Sequence, residues 1–169
     1  MDLDLSGKRA LVIGGNDDIT QAIVTALLAQ DVSVAVTYQK EDEYASSLFS
    51  LLEEKQNGSF AVQANIADAQ AVTGLMETVR QRFEQIEILI NNAERISHAP
   101  LKELTLSTWQ QTLDANLTSV YLVTQAALDL MRHGGSIINV SACLAAVGMR
   151  GKAHFTASKA GVIGFTRSI

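Results

Sequence analysis

The sequence predicts an α/β fold with a doubly wound parallel sheet, on the basis of three features. Short apolar runs alternate regularly with longer segments of helical periodicity, which is the pattern of βαβ units. The first apolar run ends in a pair of glycines and is followed at once by a helix start, as in a nucleotide-binding unit. No linker or internal repeat divides the 169 residues, so we expect a single domain over residues 1–169.

The first βα unit sets the pattern for the rest of the chain. Residues 9–14 form an apolar run that is too short for a helix, so we predict a buried parallel strand. The Asn-Asp-Asp sequence at residues 16–18 offers an N-cap, and a helix is expected over residues 19–30.

The alternation continues to the end of the chain. Further strands are predicted at residues 32–38, 60–65, 86–91 and 136–140. Further helices are predicted at residues 42–56, 68–83, 107–132 and 154–163. Because parallel strands need crossover connections, we expect the helices to cover both faces of the sheet.

The composition and charge argue against several classes of function. The chain is 47% hydrophobic, enough for a sizeable core, and its net charge of −5 argues against a nucleic-acid-binding surface. Cys143 is the single cysteine and the three histidines lack ligand spacing, so we expect neither a disulfide nor a metal site. The start is acidic and no apolar run approaches about 20 residues, which argues against a signal peptide and a membrane span. We therefore expect a cytoplasmic protein that binds no nucleic acid, metal or membrane.

Four features of the sequence carry a family resemblance. Residues 135–164 predict a strand, a loop of small residues and glycines, and a helix that contains Lys159. An Asn-Asn-Ala sequence at residues 91–93 follows the fourth strand, and Asn116 lies in the long helix. With the first glycine turn, this combination resembles the short-chain dehydrogenase/reductase family, and within it members like the 3-oxoacyl-acyl-carrier-protein reductases. The resemblance covers the whole chain and implies a Rossmann-like sheet.

The resemblance places the family's catalytic tetrad at Asn116, Ala142, Phe155 and Lys159. In the family, a Tyr hydroxyl exchanges a proton with the substrate oxygen, a Ser hydroxyl orients that oxygen, and the Lys assists the Tyr and holds the cofactor ribose. Here Ala142 stands in the Ser position and Phe155 in the Tyr position, so both hydroxyls are missing. Since general acid–base help is worth roughly 10²–10⁴ in rate, we expect only a trace of ketone reduction.

Ser141 and His154 adjoin the two altered positions. Neighbouring strand residues point to opposite faces, and neighbouring helix residues diverge by about 100°. We therefore do not expect either residue to replace the lost group, and we expect Phe155 and Ala142 to serve as packing residues.

The cofactor site implied by the resemblance is altered as well. The family's first turn has three glycines, which let backbone N–H groups approach a diphosphate. Gly14 is retained, whereas Asp18 and Thr20 replace the other two, and Asp17 stands where a basic residue is common. Two unit charges about 5 Å apart repel by roughly 3 kcal/mol at an effective dielectric near 20, whereas micromolar binding is worth about 8 kcal/mol. The two aspartates would thus remove most of the affinity unless they turn away; alternatively, Asp18 caps the helix in place of the phosphate.

Glu94 replaces a family glycine where the backbone runs close to the nicotinamide ribose. We predict that Glu94 enters the ribose site and forms an ion pair with Lys159. Two residues favour a cofactor instead: Lys40 is placed to meet the 2′-phosphate of NADP, and Asn65 stands where the family often has an Asp against adenine. The cofactor positions carried over from the family are Gly14, Asn16, Asp17, Asp18, Ile19, Lys40, Asn65, Ile66, Asn92 and Glu94.

Three functional hypotheses follow. In the first, redox catalysis has been lost, no cofactor binds, and the protein is a non-redox scaffold, a partner subunit or a repurposed enzyme. In the second, it is an NADP(H)-dependent carbonyl reductase or alcohol dehydrogenase with an unusual proton donor or a water. In the third, it is an engineered variant of an active enzyme.

The long helix also bears on assembly and on the extent of the chain. Apolar or small side chains surround much of its circumference. The resemblance implies contacts through helices 107–132 and 155–169, so we expect a homodimer or homotetramer, or a hetero-oligomer with an active relative. The family continues with further strands and a substrate loop, so we expect this chain to be truncated, or ordered only in part, at its C-terminus.

Overall fold

The structure is a five-stranded parallel sheet with helices on both faces. The computed structural model describes residues 3–14 and 17–169, without the side chain of Arg132. The strands are β1 (Arg9–Ile13), β2 (Ser33–Tyr38), β3 (Phe60–Gln63), β4 (Ile86–Asn91) and β5 (Met131–Asn139). The helices are α1 (Asp18–Ala29), α2 (Glu43–Lys55), α3 (Ala69–Phe83), α4 (Leu106–Leu113), α5 (Ser119–Ala127), α6 (Leu144–Val147) and α7 (Ala153–Thr166). The strand order β3-β2-β1-β4-β5 places a topological switch point between β1 and β4, where open α/β sheets bind ligands.

Each face of the sheet carries its own apolar core. Helices α3 and α5 pack on one face, against Leu11, Ile13 and Leu89. Helices α1 and α2 pack on the other face, against Val12 and Ile90. Successive strand residues point to opposite faces, so strands that are covered on both sides need continuous apolar runs. This is why the sequence revealed the strands as short uninterrupted apolar segments.

Helix α7 packs closely against the long helical segment. Its contacts are with α4 and with the π-helical turn Asp114–Thr118 that joins α4 to α5. Gly161 allows this approach, because a Cβ at that position would lie 2.7 Å from Leu117 Cδ2. The packing brings the first turns of α7 beside the loop that follows β4.

The predicted helix at residues 107–132 is correct in position but wrong at its end. The helical path runs from Leu106 to Leu130, and Met131 already begins β5 rather than residue 136. Strand β5 pairs with Ile86 at Met131 and with Ile88 at Ser136, and the residues between form a bulge in which Gly134 has φ 86°. Because glycines interrupt the apolar pattern here, the sequence indicated only the second part of the strand.

The other predicted elements are confirmed, with ends that differ by up to three residues. Helix α3 begins where it was expected, since Asp68 caps it by accepting a hydrogen bond from the Gln70 N–H at 2.8 Å. The short helix α6 was not predicted. Within the described residues, no helix is both long enough and apolar enough to cross a bilayer.

Candidate functional site

The candidate site lies at the carboxyl edge of the sheet, around the switch point between β1 and β4. Four segments contribute to it: the turn before α1, the loop after β4, the π-helical turn and the first turns of α7. The structure brings Asn92 to Asp17 and Glu94 to Lys159. These two contacts tie the loop after β4 to α1 on one side and to α7 on the other.

The side chains of Asp17, Thr20 and Asn92 form a hydrogen-bonded network at the start of α1. Asp17 is the N-cap, and its carboxylate accepts hydrogen bonds from the Thr20 N–H at 2.8 Å and the Thr20 hydroxyl at 3.0 Å. Asn92 Nδ2 donates to Asp17 Oδ1 at 3.1 Å and to Thr20 Oγ1 at 2.9 Å. Thr20 is fully buried, and a side chain at Gly14 would collide with its hydroxyl. Thr20 stands at the position of the family's third glycine, and its side chain fills the space beside Gly14, the first of the three positions.

The two aspartates of this turn have different roles. The expectation that Asp18 caps the helix in place of a phosphate is wrong, because Asp17 is the cap and Asp18 is exposed in the first turn. A capping side chain comes from the residue just before the helix and accepts a hydrogen bond from an N–H of the first turn. Asp17 holds that position and accepts from the Thr20 N–H, whereas Asp18 is already the first residue of α1. Ile19 is exposed, and Asn16 lies outside the described residues.

Lys159 is a buried cation with a carboxylate partner. Its side chain is 1% exposed, and its Nζ lies 3.4 Å from Glu94 Oε2. The Nζ also donates to the carbonyl oxygens of Ala93 at 3.4 Å and Val140 at 3.3 Å. The predicted ion pair is therefore confirmed. The Glu94 side chain remains 33% exposed, so the pair is desolvated mainly on the lysine side.

Asn116 fixes the loop after β4 to the middle of the long helical segment. It is fully buried in the π-helical turn, a distortion that is frequent at functional sites. Its Oδ1 accepts a hydrogen bond from the Arg95 N–H at 2.7 Å. Its Nδ2 donates to the Arg95 carbonyl and to Ser158 Oγ, both at 3.1 Å. Both amide protons are thus used within the protein, and the side chain acts as a clamp between three segments.

The two altered tetrad positions are apolar. Phe155 is 2% exposed, and Lys159 Nζ lies 5.9 Å from the centre of its ring. Ala142 is half-buried in the loop between β5 and α6. The neighbouring Ser141 donates to the Lys159 carbonyl oxygen at 2.9 Å, so its hydroxyl is directed to the backbone of α7. Neither altered position can exchange a proton with a substrate.

A second group of predicted cofactor positions meets at the ends of β2 and β3. Lys40 and Asn65 line an open cavity of ≈ 370 Å³ together with Gln39. Lys40 Nζ also lies 3.9 Å from Asp42 Oδ2, and Ile66 is buried nearby in sequence. The structure thus brings together the cation and the amide that the resemblance associates with a 2′-phosphate and adenine.

Ser97 and His154 form a polar pair that the sequence did not indicate. Ser97 Oγ lies 2.8 Å from His154 Nε2, across 57 residues of sequence. His154 is fully buried, and its Nδ1 has no hydrogen-bond partner among the described residues. Burial lowers the pKa of His154 from its usual 6.5, and the nearby charge of Lys152 lowers it further. The imidazole is therefore neutral at pH 7, and nothing in the spacing of the two residues reveals their contact.

Known proteins match the sequence over almost its whole length. A family model described as short chain dehydrogenase matches residues 8–169. A 3-oxoacyl-[acyl-carrier-protein] reductase of Synechocystis sp. is 36% identical over 167 residues, which are 98% of this chain and 68% of the relative. The reductase FabG of Staphylococcus aureus is 36% identical over 163 residues, with coverages of 95% and 66%. The chain thus spans about two thirds of the length of the curated relatives it matches.

Solved structures are similar over almost the whole chain. A short chain dehydrogenase from Burkholderia cenocepacia, in complex with NADP, has a TM-score of 0.91 and 38% identity over 97% of this chain and 67% of its own. A blue fluorescent protein from a metagenomic library, in complex with NADPH, has a TM-score of 0.90 and 35% identity, with coverages of 97% and 68%. The doubly wound parallel sheet predicted from the sequence is confirmed by these similarities.

Proposed function

The chain belongs to the short-chain dehydrogenase family, and on this premise we propose that it has lost NADP(H)-dependent redox catalysis. It acts instead as a non-redox scaffold, a partner subunit or a repurposed enzyme. The observation that carries the proposal is the ion pair between Glu94 and Lys159, formed 5.9 Å from the ring of the buried Phe155. The ammonium that would assist a tyrosine and hold a ribose is engaged by a carboxylate of the protein itself.

The lost hydroxyl groups support the proposal. Reduction of a carbonyl requires a proton for the oxygen, and Phe155 and Ala142 cannot supply or direct one. The neighbouring hydroxyls of Ser141 and Ser158 donate to backbone carbonyl oxygens at 2.9 Å and 2.7 Å. Without a positioned acid, the rate falls by about 10²–10⁴.

The closed first turn supports weak or absent cofactor binding. A diphosphate at the start of α1 would have to displace the Asp17 carboxylate from Thr20 and Asn92. Each hydrogen bond so broken is worth about 0.5–1.5 kcal/mol, and a nearby carboxylate about 5 Å away adds roughly 3 kcal/mol of repulsion. Together these terms approach the roughly 8 kcal/mol of a micromolar complex.

A role as a subunit is supported by exposed apolar side chains on the long helical segment. Tyr121 is 44% exposed and Leu128 is 56% exposed, and both lie on the helix predicted to form the interface. We therefore extend the proposal to a homodimer or homotetramer through helices 107–132 and 155–169, or a hetero-oligomer with an active relative.

A second candidate is an NADP(H)-dependent carbonyl reductase or alcohol dehydrogenase with an atypical proton donor. It is favoured by the cavity at Lys40 and Asn65, and by the similar structures that hold NADP or NADPH. The retained Asn116 and Lys159 are consistent with it. Under this reading Glu94 would release Lys159 when the cofactor enters.

Titration with NADPH and NADH by calorimetry tests the proposal. We expect no binding up to about 1 mM, which corresponds to less than about 4 kcal/mol of binding free energy. A variant with Asp18→Gly, Thr20→Gly and Glu94→Gly restores the family glycines, and we expect it to bind NADPH at least tenfold more tightly. Adding Lys40→Ala to this variant should weaken NADPH binding but leave NADH unchanged.

The two candidates give opposite results in this titration. Micromolar binding of NADPH to the unaltered chain would contradict the proposal and favour the reductase. If neither the unaltered nor the restored chain binds NADPH, the residues at the three altered glycine positions are not the cause of the lost affinity.

A further inference from the structure

Ser97 and His154 lie outside the four tetrad positions that the resemblance implies. Ser97 comes from the loop after β4 and is half-buried, whereas His154 comes from the first turn of α7 and is fully buried. Their Oγ and Nε2 atoms are 2.8 Å apart, within the range of a nucleophile and its base. The hydroxyl is thus partly accessible, while the imidazole is shielded from water.

The protonation state of His154 suits a general base. Burial, Lys152 and His98 all lower its pKa, and only a hydrogen bond with the Ser97 backbone acts in the opposite direction. The ring is therefore neutral at pH 7 and able to accept a proton at Nε2. The inference requires the tautomer with the proton on Nδ1, because only that tautomer leaves Nε2 free to accept the Ser97 hydroxyl proton.

A purely structural role explains the pair less well. A buried polar atom without a hydrogen-bond partner costs about 1–3 kcal/mol, and such atoms are rare in native proteins. His154 Nδ1 has no partner among the described residues, so the imidazole is an expensive way to tie a loop to a helix. An apolar residue would leave no polar atom unpaired.

We propose that Ser97 is a nucleophile activated by His154, and that the pair transfers the acyl group of small esters. The Ser97 oxygen attacks the ester carbonyl carbon while its proton passes to His154 Nε2. The tetrahedral intermediate then expels the alcohol, which takes that proton, and an acyl-serine remains. Water hydrolyses the acyl-serine by the same route and releases the carboxylic acid.

The surroundings of Ser97 favour an apolar acyl chain. The loop after β4 meets the loop before α7 where the Ala99 N–H donates to the Gly151 carbonyl oxygen at 3.0 Å. Exposed apolar side chains lie on both loops and beside the second: Ile96 is 55% exposed, Met149 is 55% exposed, and Val147 at the end of α6 is 78% exposed. We therefore assign a short aliphatic acyl group as the substrate class. This reaction needs no cofactor, so the inference stands or falls independently of NADPH binding.

Covalent labelling tests the inference directly. The 169-residue chain is treated with diisopropyl fluorophosphate, which bonds its phosphorus to an activated serine oxygen and releases fluoride, and the label is located by peptide mass spectrometry. We expect a single label on Ser97, together with hydrolysis of p-nitrophenyl butyrate. His154→Gln keeps a polar group but cannot accept the proton, and it should slow labelling about 10²-fold or more. Ser47→Ala, which removes an exposed hydroxyl on α2, is the control that should leave labelling unchanged.

A pH profile of the unaltered chain supports the same test without a variant. The labelling rate should fall as the pH drops through the folded-state pKa of His154, which burial places below the usual 6.5, because the ring then gains a proton. A label on Ser97 that is lost with His154→Gln or at low pH supports the proposal. Absence of a label on Ser97 in the folded chain, or labelling at the same rate in His154→Gln, overturns it.

Discussion

Removal of one charge from the pair formed by Glu94 and Lys159 is the most informative perturbation of this site. The charges are 3.4 Å apart, which at an effective dielectric near 20 corresponds to about 5 kcal/mol of attraction. Desolvation of Lys159 offsets part of this, and the 33% exposure of Glu94 reduces it further. We therefore expect a coupling free energy of about 1–3 kcal/mol between the two side chains.

A double-mutant cycle with Glu94→Gln and Lys159→Met measures this coupling by urea denaturation at pH 7. Glu94→Gln alone should lower the free energy of unfolding by about 1–3 kcal/mol, because it leaves a buried cation without its carboxylate. In the Lys159→Met background the same change should cost less than about 0.5 kcal/mol, since no buried charge remains.

The pair of Lys40 and Asp42, 3.9 Å apart, provides the control, because its lysine is 77% exposed whereas Lys159 is 1% exposed. A cycle with Lys40→Met and Asp42→Asn should give a coupling of at most about 1 kcal/mol, as is usual for solvated ion pairs. A coupling below about 0.3 kcal/mol for Glu94 and Lys159 would refute the reasoning, because it would mean that the buried ammonium is stabilised by the carbonyl oxygens alone.

Two further predictions concern the turn before α1 and the buried histidine. Asp17→Ala should lower the free energy of unfolding by about 1–2 kcal/mol in urea denaturation, because Asp17 also binds Asn92. Asp68→Ala, which removes an exposed cap of α3, should lower it by about 0.5–1 kcal/mol. Equal losses in the two variants would contradict a role of Asn92 in the network. The pKa of His154 is lowered in the folded state, so the unfolded chain binds more protons as the pH falls. The free energy of unfolding should therefore decrease as the pH drops from about 7 through 6.5 towards the folded-state pKa. The slope should be at most about 1.4 kcal/mol per pH unit. His154→Gln should remove this part of the slope in urea midpoints measured between pH 5 and 7.5, and His133→Gln, at an exposed position, should retain it.

The sequence predicted the sheet well because local signals specify each strand. The apolar runs at β1 and β4 are continuous, since both strands are covered on two faces, and their ends were read correctly to within one residue. Strand β5 was the exception. Its first part carries glycines and polar residues in a bulge, and such a strand has no periodic signal.

Within the site, the sequence predicted the ion pair between Lys159 and Glu94, which is an electrostatic attraction between residues far apart in the sequence. An uncompensated buried Lys159 would be costly, so the carboxylate at residue 94 was identified as its partner, and the structure has the pair at 3.4 Å. The prediction that Asp18 caps α1 was wrong, since the cap is Asp17. Either aspartate is a favourable N-cap residue, and the backbone geometry decides between them. The contact of Ser97 with His154 depends on how one loop packs against α7, which no local pattern encodes.

The altered residues of the site act together, and this argues against independent drift. Under the proposed loss of cofactor binding, Asn92, the first N–H groups of α1 and Lys159 are the polar groups that a bound cofactor would otherwise meet. Here Asn92 and the Thr20 N–H bind Asp17, and Lys159 binds Glu94, so each of these groups has a partner within the chain. Entry of NADPH would have to break those bonds before it gained any of its own. We propose that carboxylates which satisfy these groups stabilise the protein without a cofactor, as the proposed role of a scaffold or partner subunit requires.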